Sequence, residues 1–306
     1  MKRTLRLIAI LLMLASLLVL IPSGVIVAQA EILEYKLTDK AGVKLQKDGY
    51  LFEENAKEPY GYEDPSVSVS IERGRIFETD YVVARVKIAN ATQLRTMMAS
   101  GYYSPSTLMG TSMANKANAA LAINGDFFSS RNGVGYVARQ GKVYRTRCNG
   151  IYDVLIIDDQ GDMHILKEAT NEDINAFQGT VVNGFTFGPG LIINGEPQTG
   201  FGERPNAKEN AANIAAQRMC LAQVGPLEYL CIASEGPEDP GSVGLTLDQF
   251  AELVATFEDI QNAYNLDGGS STTMVFNRDK INSPNNPKRR PLCDIIYFAS
   301  AYQPDK

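Results

Sequence analysis

The sequence predicts an α+β fold: a mixed β-sheet core with flanking helices in a single catalytic-type domain. Three observations support this. Strand-like runs outnumber helix-like ones. The two kinds do not alternate as a doubly wound parallel sheet requires. One late helix carries a full set of start signals. Composition is compatible, since 306 residues at 44% hydrophobic and 21% charged are enough for one large domain or two small ones.

In chain order, residues 1–30 stand apart. Lys2, Arg3 and Arg6 precede an apolar run from Leu7 to Ile21, and Ala28, Gln29 and Ala30 close the stretch with an A-x-A pattern. This is the layout of a secretory signal peptide. Extended through Val27, the run also reaches the length of about 20 residues that spans a bilayer. A cleaved signal and a retained membrane anchor both stay open, and either places the domain extracellular or facing outside. Residues 31–65, with "EENAKEPYGYEDP", predict a linker or irregular lead-in. Residues 66–302 are the domain.

Within the domain, "SVSVSIERGRIFETDYVVARVKI" alternates and is β-branched, predicting strands with turns at Arg73 and Gly74 and at 78–80. "ATQLRTMMAS" and "STLMGTSMANKANA" read as helices, and "AALAIN" as a short apolar strand. More strands follow in "GVGYVARQGKVYR", "DVLIIDDQGDMHIL", "GPGLIINGEP", "AQRMCLAQVG" and "EYLCIAS", with turns at Gly141, at Gly161 and at Asn194 and Gly195. Thr246 and Gln249 form a capping box. Leu247, Phe250, Ala251, Val254 and Phe257 then mark one apolar helical face, which belongs to the core. "RRPLCDIIYFASAY" closes the chain as a strand.

Several function classes are excluded early. The formal charge of −6 without a dense basic patch argues against nucleic acid. His164 is the single histidine and reads as structural or exposed, which removes His-based triads and His-rich metal sites. Nucleophile-elbow, P-loop and dinucleotide fingerprints are missing. Of the four cysteines, Cys220 and Cys231 lie on two strands joined around Gly225 and Pro226 and could face each other. Buried free thiols are the other reading.

Carboxylate, amide, arginine and glycine chemistry remains. Two segments place Asn and Asp beside glycine at strand ends: Asn124, Gly125 and Asp126 in "AINGDFF", and Asn265, Leu266 and Asp267 in "NLDGGSSTTM". Loops on a rigid sheet are where active sites are commonly built. An oxygen-rich group of this kind could also bind Ca²⁺ or Mg²⁺, although no EF-hand spacing exists and no metal set is assigned.

Taken in order, "AINGDFF", "GPGLIINGE", the strand around Arg218, "GLTLDQFAELV" and "NLDGGSSTTM" resemble the phosphodiester glycosidase family over roughly residues 65–302. Two segments depart from the family's usual form: "NGDFF" stands for "NGGFF", and "NLDGGSS" for "NLDGGGS". The resemblance implies hydrolysis of a sugar-1-phosphodiester to free sugar and a phosphomonoester. The partner would be a carbohydrate phosphodiester or a cell-envelope glycan. Cleavage at an anomeric carbon passes through an oxocarbenium-like state, so Asp267, Asp126 and Glu235 are the candidate catalytic carboxylates. Arg147 and Arg218 are candidates for the phosphate, because the guanidinium fork matches its oxygens. Asn124 would bind sugar hydroxyls or orient an Asp. Gly268 and Gly269 would let backbone approach the ligand, with Ser270 and Ser271 adding hydroxyls and N–H groups. The alternative is a non-catalytic cell-surface phosphoglycan-binding protein.

Overall fold

Short turns govern the architecture. Two-residue connections can join only antiparallel strands, and this chain is full of them. Phe77 and Glu78, both at positive φ, connect Val67–Ile76 to Thr79–Ile88. Gln140 and Gly141 connect Gly135–Arg139 to Lys142–Arg147. Asn194 and Gly195 connect Gly190–Ile193 to Glu196–Pro197. Pro226 and Leu227 lie between Arg218–Gly225 and Glu228–Ser234. The computed structural model describes residues 31–129, 133–283 and 289–304. Ile32–Gln303 form one compact unit.

Three larger sheets result. The largest has nine strands, in the order Glu196–Pro197, Gly190–Ile193, Asn262–Leu266, Arg218–Gly225, Glu228–Ser234, Thr79–Ile88, Val67–Ile76, Gly61–Asp64 and Tyr50–Leu51. A five-stranded sheet runs Asp279–Lys280, Met274–Phe276, Ala119–Asn124, Asp294–Ala299 and Leu94–Met98. A second five-stranded sheet runs Met163–Leu166, Val154–Asp158, Val181–Phe185, Gly135–Arg139 and Lys142–Arg147. The α+β class holds. Pairing within these sheets is antiparallel rather than mixed, as the hairpins dictate.

The layering follows from residue alternation along the strands. Val82, Ala84, Leu221, Cys231 and Leu266 point from the nine-stranded sheet into a central core. There they meet Leu121, Ile123, Ile296 and Phe298 of the first five-stranded sheet. On the outer face of the large sheet, Cys220, Ala222, Leu230 and Ile232 pack with Phe250 and Val254 of the helix Leu247–Ala255. On the outer face of the smaller sheet, Ala122, Ile295 and Tyr297 pack with Met113, Ala114 and Ala117 of the helix Gly110–Ala117. That helix ends at Asn118, a left-handed cap at φ 50°.

Some expectations need correction. "ATQLRTMMAS" is a single 3₁₀ turn, Ala91–Gln93, followed by the strand Leu94–Met98, because Asp294–Ala299 offers it a full ladder. Arg73 and Gly74 do not turn. Gly74 sits inside a strand opposite Tyr81, where a Cβ would strike that ring at 2.3 Å. The lead-in over 31–65 is irregular for much of its length but is not a linker. It supplies the last two strands at one end of the nine-stranded sheet, the fully buried Tyr62, and carbonyls at Lys36 and Asp39 that receive the buried Arg95. Cys220 and Cys231 do not face each other. Their registers differ by one residue, so they sit on opposite faces of the sheet, and all four cysteines are free. Among the described residues no helix is long and apolar enough to cross a membrane. The predicted signal or anchor, residues 1–30, lies outside the described residues.

Candidate active site

The two Asn/Asp segments come from different sheets and meet. Asn124, the last residue of Ala119–Asn124, is buried and acts as the fastener. Its Nδ2 donates to the carbonyls of Asp267 (2.8 Å) and Gly125 (3.1 Å), and its Oδ1 accepts from the Thr273 N–H (3.0 Å). The main chain reinforces this, with Asn124 N–H donating to Thr273 O and Asp267 N–H donating to Gly125 O. Asn265 is built in similarly, donating to Gly188 O at 2.8 Å beside the cis Gly188-Pro189 peptide.

Behind this junction lies a buried charge cluster. Arg139, at the end of Gly135–Arg139, donates from Nη2 to Asp126 Oδ1 and from Nε to Asp294 Oδ2, both at 2.7 Å. Its Nη1 donates to the carbonyls of Ala138 and Gly184, and the guanidinium lies 4.0 Å from the centre of the Phe185 ring. The second oxygen of Asp126 accepts from the Thr186 N–H at 2.9 Å. Asp126 is thus fully bonded and fully buried.

Asp294 is different. Its Oδ2 holds Arg139, while its Oδ1 is buried without a hydrogen-bond partner. Burial pushes its carboxyl up to about 6; Arg139 pulls against this, while Asp126 and Asp267 add to it. Asp294 and Asp267 line one narrow cleft together with Asn124, Gly125 and Ser271. Its volume of ≈ 10 Å³ is about that of a single water molecule. The cleft therefore holds two carboxyl groups, of which Asp294 is the one whose proton affinity burial raises.

The other predicted residues are placed as follows. Asn124, Asp267 and Ser271 are brought together, and Asp126 stands one guanidinium behind them. Gly268 answers a packing demand, because a Cβ there would lie 2.7 Å from Gln217 O, whereas Gly269 is at φ +57° with open space around it. Ser270 is half-buried and lies off the cleft lining. The N–H groups of Gly269, Ser271, Thr272 and Thr273 already donate within the protein, so the turn has fewer donors for an anion than its sequence implies.

Arg218 is not brought to the cleft. Its guanidinium donates to the carbonyls of Leu245, Asn210, Ala211 and Ile214, and burial lowers its pKa to about 10. It braces the 210–214 segment. Arg147 is exposed on an edge strand beside Gly133 and does not line the cleft. Glu235 is elsewhere too. It accepts from Ser283 N–H at 2.7 Å and from the Ser283 hydroxyl, and its carboxyl is raised mainly by burial and also by Asp239. Together with Asp239, Glu235 lines a separate cavity of ≈ 420 Å³. His164 pairs with Asp158 at 2.8 Å and packs edge-on against Phe177, a structural role.

Among the described residues, no group of three or more His, Cys, Asp or Glu side chains is arranged to hold a metal ion. Sequence reasoning missed Asp294 and Arg139. Each reads as an ordinary polar residue next to an apolar strand, and only the docking of separate sheets brings them beside Asp267.

Comparison with known proteins gives a consistent result. The model of the family described as phosphodiester glycosidase matches residues 117–299. Among solved structures, the chain is similar to the catalytic domain of zebrafish N-acetylglucosamine-1-phosphodiester α-N-acetylglucosaminidase, auto-inhibited by its pro-peptide. The TM-score is 0.62 at 16% identity, over 78% of this chain and 84% of that one. It is also similar to a protein from Synechocystis, with a TM-score of 0.56 at 16% identity over 79% and 64% of the two chains. A protein from Burkholderia pseudomallei gives 0.52 at 11% identity over 72% and 74%. At these identities the structural likeness speaks for the fold. No curated protein matches significantly by sequence.

Proposed function

The chain belongs to the phosphodiester glycosidase family, and from that premise we propose that it hydrolyses a glycan-linked sugar-1-phosphodiester, releasing free sugar and leaving a phosphomonoester. The observation that carries this reading is the Asp267 and Asp294 pair at one cleft, held between the two family-like segments by Asn124. Both groups suit the chemistry. A carboxylate stabilises the oxocarbenium-like centre or activates water. A carboxyl lifted to about 6 by burial can lend its proton to a phosphate oxygen of the leaving group.

In this scheme Asp267 is the group that stabilises the oxocarbenium-like centre or activates water. Asp294 carries the proton on Oδ1, the oxygen that Arg139 does not engage. Arg139 and Asp126 are positioning residues: the guanidinium fixes the Asp294 carboxyl, and Asp126 fixes the guanidinium. Asp126 and Arg218, expected at the substrate, are assigned supporting roles instead. The basic start, apolar run and A-x-A pattern of residues 1–30 support work outside the cytoplasm, by a secreted or anchored domain.

The test is direct. The purified protein should release sugar from a soluble sugar-1-phosphodiester. Asp267→Asn should lower kcat/KM by about 10²–10⁴-fold, the span of a lost acid–base group. Full activity in that variant would overturn the assignment. Saturable binding of the diester without any turnover by the unaltered protein would favour the binding-protein reading.

A further inference from the structure

A further cavity, of ≈ 650 Å³, shares no lining residue with the cleft. That is the size of a small-molecule site. Three cations line it, Lys44, Lys47 and Arg278, with three carboxamides, Asn115, Asn118 and Asn277, and no carboxylate. The chain carries 35 Asp and Glu against 29 Lys and Arg, so a cavity without any acid runs against its composition. Among the described residues none of the three cations has an ion-pair partner.

The backbone adds an independent observation. Asn277 and Arg278 form the two-residue turn between Met274–Phe276 and Asp279–Lys280, at φ 46° and 71°. Such a turn favours Asn and then Gly. The first choice is kept, but the second position holds arginine, a side chain disfavoured at positive φ. Strain of this kind gathers where a ligand is clamped. Here it delivers a guanidinium into the cavity, close enough to Tyr50 for its charge to oppose the effect of burial on that phenol.

We infer that this cavity binds an anionic glycan, with Lys44, Lys47 and Arg278 holding phosphate oxygens and the Asn side chains holding sugar hydroxyls. Guanidinium and ammonium groups suit the anion, and carboxamides can both donate to and accept from hydroxyls. The site is separate from the cleft but shares a strand with it. Ala119 borders the cavity and Asn124 borders the cleft, and the five residue steps between them span about 16 Å. A phosphorylated polysaccharide held here would keep its diesters near the cleft.

Titration calorimetry on the full chain carrying Asp267→Asn reads binding without turnover, so its outcome is independent of the proposed hydrolysis. Three probes are used: phosphorylated mannan, unphosphorylated mannan and inorganic phosphate. Phosphorylated mannan should bind most tightly. Arg278→Gly should weaken it about tenfold, the scale of one charge-assisted hydrogen bond, and Lys44→Glu should weaken it as well. Since glycine suits φ 71°, Arg278→Gly should melt at or above the parent temperature, which separates lost binding from lost fold. In a chain with Asp267 intact, Arg278→Gly should leave hydrolysis of a small soluble diester unchanged. No binding of phosphorylated mannan, equal binding in both variants, or inorganic phosphate binding as tightly as the polymer would each overturn the inference.

Discussion

Arg139 gathers three elements around one guanidinium, holding Asp126, Asp294 and the Gly184 carbonyl. The Asp294 it grips sets the pH behaviour. The folded-state value of that carboxyl, about 6, lies above its ordinary 3.8. The stability linked to this group is therefore fully present below 3.8 and is lost as pH rises through about 6. Relative to Asp294→Asn, the wild type should lose ground across that window and stay level above it, as read by thermal melts at a series of pH values. A difference of the opposite sign would mean that the carboxyl ionises more easily than usual. At this scale the sequence is informative where a motif is local. Asn124 and Asp267 stand out beside their glycines. Asp294 and Arg139 do not, because nothing near them in the chain marks them. Arg218 stands out beside its family-like strand, while the carbonyls it braces are set by the tertiary fold and leave no local mark.

Among the elements, the helix Leu247–Ala255 is the most legible, because its cap and its apolar residues Leu247, Phe250, Ala251 and Val254 agree; Phe257, expected on the same face, lies just past its end and still packs on that core. Phe250 is wholly buried between the helix and the outer face of the large sheet. Phe250→Ala should therefore cost about 3–5 kcal/mol, measurable by denaturant titration; a cost below about 1 kcal/mol would contradict that packing. Leu94–Met98 was the opposite case. Its residues fit a helix on local pattern, and only the partner strand Asp294–Ala299, some 200 residues on, makes it a strand. Strand preference depends on neighbours more than helix preference does, so errors of this kind fall on strands paired far along the chain.

On the scale of the whole molecule, the lead-in is part of the fold. Tyr62 is fully buried in the central core, and Gly61–Asp64 pairs along Val67–Ile76. A chain beginning at residue 66 should lose the cooperative thermal transition of one beginning at residue 31; an unchanged melt would show that the segment is dispensable. The fastening of the cleft by Asn124 has a further consequence. Its partners, Asp267 and Thr273, lie 143 and 149 positions away, in the connection that leads from Asn262–Leu266 of the large sheet to Met274–Phe276 of Asn124's own sheet. Contacts so distant along the chain carry a large loop-closure cost and form slowly. The Asp267 and Asp294 pair thus needs both sheets in place. During refolding, the proposed turnover should return in step with the docking of the two sheets and so report completed assembly.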